Sequence, residues 1–121
     1  MDRAKFENLV TEAVRRLPEE VRKKLENVAV IVEDRPSDEL LDRLEIPPED
    51  TLFGLYEGTP LTERGWDDPL YPDQIRIFQS PIEEECATED EIREQIAITI
   101  VHEVAHFFGL DDDYLESLGY G

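Results

Sequence analysis

Apolar residues return at helical spacing at the start of the chain. Phe6, Leu9, Val10, Ala13, Val14 and Leu17 share one face, which predicts an amphipathic helix over about 3–16. Pro18 ends it, and Glu19 to Leu25 reads as a short second turn. The pattern then changes: Val28-Ala29-Val30-Ile31-Val32 is a continuous β-branched run and predicts a buried strand. Ser37 is placed to cap a short helix from Asp38 to Leu44, which Pro47-Pro48 stops. Leu52 to Glu57 predicts a second strand, with Gly54 marking a bulge or a close approach by other backbone. Gly58 to Asp73 is rich in Gly and Pro, has no periodicity and reads as a long loop. Gln74 to Gln79 alternates in part and predicts a third strand, closed by Ser80-Pro81. Ile82 to Ala87 follows as a polar stretch.

The longest element comes last. Thr88 and Glu91 form a capping-box pattern at the head of a helix expected to run to about Phe108. Ile92, Ile96, Ile100 and Val104 make one apolar stripe, and Ala97, Val101, Ala105 and Phe108 make its neighbour. From Ile96 onward the helix is apolar almost all round, which predicts a buried central helix. Gly109 is placed to end it in a left-handed turn. The tail, Leu110 to Gly121, is acidic with interspersed Leu and Tyr. No repeat or linker interrupts the 121 residues, so a single domain over 1–121 is expected.

Charge narrows the choice of partners. Asp and Glu number 31 against 12 Lys and Arg, a formal charge of -19. Such a chain repels phosphate backbones and anionic membranes, so neither nucleic acid nor a membrane is an expected partner. The one cysteine, Cys86, forms no intramolecular disulfide; it is expected to act as a small buried hydrophobe and not as a blocking thiolate on a metal. Met1 to Glu7 is charged and has no apolar signal core, and no apolar run is long enough to span a bilayer. A cytoplasmic, monomeric protein is expected.

Chemistry concentrates on the last helix. The chain has two histidines, His102 and His106, four apart with Glu103 between them. A spacing of four returns side chains to one helix face, so two imidazoles can share one metal ion, while Glu103 reaches the rim of the same site. Two core histidines satisfied by ordinary hydrogen bonds are the alternative. Against it, His, Glu and His set together in an apolar helix each need a partner, and a metal satisfies both imidazoles at once. The run His102-Glu-Val-Ala-His106-Phe-Phe-Gly109-Leu-Asp-Asp112 fits an extended metal motif in which the glycine turns the chain back. Asp112 is then in register as third ligand. Asp111 or Asp113 could take its place, or the acidic run could be plain solvated surface.

These residues resemble the short bacterial zincin-like metallopeptidases, minimal zincins long catalogued as a domain of unknown function. The resemblance extends to Leu52 to Gly58, Thr59 to Arg64, Pro72 to Phe78 and Ser80 to Ile82. It implies an α+β fold: a small mixed sheet of three to four strands on helices, the helix of the histidine motif buried at its centre. It also implies His102, His106 and Asp112 as ligands and Glu103 as catalytic base. One departure is plain. The only methionine is Met1, so the methionine turn of metzincins is missing, and nine residues follow Asp112, so no C-terminal subdomain is expected.

The expected function is zinc-dependent hydrolysis of peptide bonds, with Mn, Fe or Co as other admissible ions because an Asp hardens the site. A non-catalytic metal-binding or peptide-docking module is the alternative. Tyr56, Tyr71 and Tyr114 are candidate contacts to substrate or transition state, with Tyr120 a further electrophilic helper. By resemblance, Phe53 to Glu57 is the edge strand along which a peptide substrate would lie. Trp66 is expected to pack on the domain.

Overall fold

The computed structural model describes residues 1–47, 49–58 and 73–120. In chain order the elements are α1 (Arg3–Arg15), α2 (Glu19–Lys24), β1 (Val28–Glu33), α3 (Asp38–Arg43), β2 (Gly54–Glu57), β3 (Asp73–Phe78), α4 (Gln79–Glu85), α5 (Glu89–Phe108) and α6 (Asp112–Ser117). The fold is α+β, a three-stranded mixed sheet packed on helices. Trp66, Tyr71 and the body of the expected 58–73 loop lie outside the described residues.

The sheet order is β1-β3-β2. β1 runs parallel to β3, with Val30 opposite Ile75, and β2 runs antiparallel to it, with Tyr56 also opposite Ile75. β3 is thus the central strand, and Ile75 and Ile77 are fully buried. The expectation of a buried β1 is corrected: all its residues are only half-buried, because β1 is an edge. A continuous apolar run alone does not distinguish a covered strand from an edge strand packed on one face.

α5 is the element on which the domain closes. Thr88 Oγ1 accepts the Glu91 N–H at 3.1 Å, and Glu91 Oε2 reaches back to the Ala87 N–H at 2.6 Å. At the other end Gly109 sits at φ 68°, the left-handed turn that only glycine adopts without strain, and Leu110 N–H closes it on the Ala105 carbonyl at 2.9 Å. Between these caps Ile92, Ile96, Ile100 and Val104 bury against Phe6, Leu9, Val10 and Ala13 of α1 and against the sheet. Ion pairs edge the seam: Lys5 with Glu89 at 2.5 Å, and Arg93 with Glu12 at 2.7 Å and with Asp90. β2 approaches α5 closely at Gly54, where a Cβ would lie 2.7 Å from Thr99 Cγ2 and 2.9 Å from the Arg76 carbonyl. The glycine expected to mark a close approach does so.

Three further differences have physical reasons. Ser80-Pro81, expected to close a strand, instead lies in the first turn of α4, where proline's missing N–H has no intrahelical partner to lose. The tail contains a helix, α6, because Asp111 caps it by accepting the Tyr114 N–H at 2.8 Å. α5 is not buried all round: Ile96, Ile100, Val101 and Val104 are buried, whereas His102, His106, Phe107 and Phe108 open to solvent. No described helix is long and apolar enough to cross a membrane.

Candidate metal and peptide site

The two histidines lie on the last two turns of α5, on its solvent-exposed stripe. Both are exposed, and they line one concavity of about 490 Å³ together with Gly109, Leu110 and Asp112. Gly109 makes this possible. Its left-handed conformation stops the helix one turn past His106, and the chain doubles back so that the start of α6 forms the opposite wall. His102 Nε2 lies 3.4 Å from the Tyr120 carbonyl, so the chain after α6 also returns to this face.

Glu103 is placed differently. It is half-buried near the sheet edge, where the Tyr56 N–H favours its charged form. The direction of that N–H follows from strand register. Phe78 N–H donates to the Phe53 carbonyl at 2.9 Å, so Phe53 and Phe78 are a hydrogen-bonded pair of the antiparallel ladder. The alternation of such ladders then turns the backbone groups of Gly54 and Tyr56 away from β3, toward the open edge. Burial pushes the Glu103 carboxyl above its usual range, while His106, the Tyr56 N–H and His102 pull in the other direction. The side chain sits beside the histidine concavity and is not among the residues that line it.

The tyrosines divide. The Tyr56 phenol donates to Asp73 Oδ2 at 2.8 Å, and burial followed by this bond raises its pKa, so its hydroxyl is committed. The ring stacks on Phe107, centroids 4.1 Å apart, with Phe108 edge-on at 6.0 Å. Tyr56 thus meets the site through its main chain, a role that side-chain chemistry in the sequence did not signal. Tyr114 is half-buried in α6 and does not line the concavity. Tyr120 contributes a carbonyl, not a phenol, to the His102 contact. Cys86 caps α4 half-buried against the core, with its thiol pKa raised by burial first, and stays remote from the histidines.

The donor set is of the right kind for a transition metal: two imidazoles one helical turn apart with a carboxylate across the same concavity. The carboxylate is not drawn in. Among the described residues no three His, Cys, Asp or Glu side chains converge into a group that holds a metal ion. Asp111, one of the possible third ligands, is engaged as the cap of α6, and Asp112 and Asp113 sit exposed in its first turn. Two imidazoles thus share one concavity, and among the described residues no third donor converges with them.

Comparison with known proteins bears on the whole arrangement. The model of a family described as zincin-like metallopeptidase matches residues 25–121. Among solved structures, a conserved hypothetical protein from Thermo thermophilus is similar in fold, with a TM-score of 0.59 and 20% identity, over 89% of this chain and 94% of that one. No curated protein matches the sequence.

Proposed function

Because the chain belongs to the zincin-like metallopeptidase family, we propose that it is a zinc-dependent peptidase acting on peptide or protein substrates as a monomer. The observation that carries this reading is the division of labour on α5. Two imidazoles line an open concavity, while the glutamate between them is half-buried beside it, near the Tyr56 backbone. His102 and His106 would hold the ion, with Asp112 as third ligand; an oxygen ligand also admits Mn, Fe or Co. When bound, the ion supplies Lewis acidity and lowers the pKa of water.

This chain's own residues do the rest. Glu103, its carboxyl held above the usual range by burial, is suited to take a proton and return it to the leaving amine. The outward backbone groups of Gly54 and the Tyr56 carbonyl offer an extended peptide a partial ladder along β2. Glu103→Gln should retain zinc and lose hydrolysis. Hydrolysis that survives this change would remove the assigned role.

A second reading is a peptide-docking or structural metal module. It is favoured by the failure of three ligands to converge among the described residues. Under that reading the wild-type protein binds zinc and peptide and cleaves nothing.

A further inference from the structure

A second, larger concavity of about 880 Å³ meets the first at His102. It lies between the end of α1, the outer face of α5 and the chain after α6, and its size suits several residues of a peptide. Ala97, Ile98 and Leu118 give it apolar walls. Its polar groups are Arg16, Arg93, Asp90 and Glu94, two of each sign.

These four are not equivalent. Arg93 is engaged by Glu12 and Asp90, which also occupies Asp90. Arg16 and Glu94 have no hydrogen bond or ion pair from their side chains among the described residues. Carboxylates outnumber cations 31 to 12 in this chain, and Arg15, Arg16 and Arg22 are the described cations without a partner. Of the three, only Arg16 faces the concavity that reaches His102.

We propose that this concavity is a substrate subsite in which Arg16 receives a carboxylate, so that the peptide cleaved at His102 and His106 carries an acidic side chain a few residues from the scissile bond. The inference rests on the peptidase reading and names its substrate class. It runs against the overall charge of -19, which repels acidic peptides at a distance. The two act over different ranges. At physiological salt, charges beyond about 8 Å are screened, while a guanidinium fork in contact with a carboxylate is not. Glu94 on the same wall opposes the contact and sets its selectivity.

The test is binding, which does not require turnover. Acetylated, amidated hexa-alanine peptides carry one Glu at each position in turn, each with a Gln counterpart. Their affinities for zinc-loaded Glu103→Gln protein are measured by NMR titration at physiological salt. At one position Glu should bind about fivefold tighter than Gln, the size of a partly exposed ion pair. The preference should vanish in Arg16→Ala, persist in part in Arg16→Lys and grow in Glu94→Gln. Equal binding of Glu and Gln peptides, no binding at all, or a preference that survives Arg16→Ala overturns the subsite. If the preference holds while wild-type protein cleaves none of the peptides, the subsite stands and the peptidase reading falls.

Discussion

The two ends of α5 are built from similar residues and serve opposite purposes. From Ile92 to Val101 the helix is fastened: Ile92, Ile96 and Ile100 are buried, Thr99 meets Gly54 of β2, and Arg93 ties it to α1. From His102 onward it is presented. His102 and His106 face a concavity, and Phe107 and Phe108 are 49% and 42% exposed. The contrast shows how a small domain supports an exposed polar site. The first three turns are fastened on more than one side, and the last two keep only Val104 and Ala105 in the core and leave their other face to residues that add little to stability.

Substitutions at the fastened end should therefore have the largest effect on folding. Ile100 is fully buried, so Ile100→Ala should destabilise the domain by about 2–5 kcal/mol through lost burial and a residual cavity. Thermal unfolding would show this as a large fall in Tm; a fall no greater than that of a surface variant would erase the distinction between the two ends. Gly54→Ala should cost about 1–3 kcal/mol, because the new methyl meets Thr99 and the rigid Arg76 carbonyl. Denaturant titration checks it.

At the boundary, Gly109→Ala should cost about 1–2 kcal/mol, since φ 68° strains any residue with a Cβ although nothing lies within 4 Å of it. Because this turn sets α6 opposite the histidines, metal affinity should fall along with stability. The same loss of stability with unchanged metal affinity would show that the turn does not shape the site.

The smallest effect has the opposite sign. The Glu103 pKa is raised by burial, so the folded state holds that proton more tightly than the unfolded chain. The associated stability is present below the ordinary carboxyl range and is lost as pH rises through the raised folded value. Metal-free Glu103→Gln should thus have a higher Tm than wild type at pH 7, with the gap closing as pH falls below that range. A lower Tm at pH 7 would mean that the carboxylate stabilises the fold.

Much of this division was legible in the residues, and the gaps are instructive. The bounds of α5 follow from Thr88, Glu91 and Gly109, whose capping chemistry is local. The zincin-like fold was legible from the motif and the segments around it. The exposure of the second half was not, because Phe107 and Phe108 look like core in a linear pattern, as Val104 and Ala105 beside them are. Strand pairing was equally hidden: nothing in Leu52 to Glu57 says that it joins β3 antiparallel while β1 joins in parallel. α4 and α6 were concealed by residues with two uses, a proline that either stops a strand or begins a helix, and an aspartate that either binds a metal or caps. The same ambiguity surrounds the third ligand, since Asp111 caps α6 and Asp112 follows it directly. Arg16 gave no signal at all, because its distinction is the partner it lacks.

The account depends most on the presented end of α5 being a metal site. Protein purified without a histidine tag, loaded with zinc and dialysed, should retain about one equivalent per chain by elemental analysis. His102→Ala and His106→Ala should each abolish retention while leaving Tm in chelator within about 2 °C, the small shift expected of exposed positions. Zinc retained equally by both variants, or absent from the wild-type chain, would contradict it.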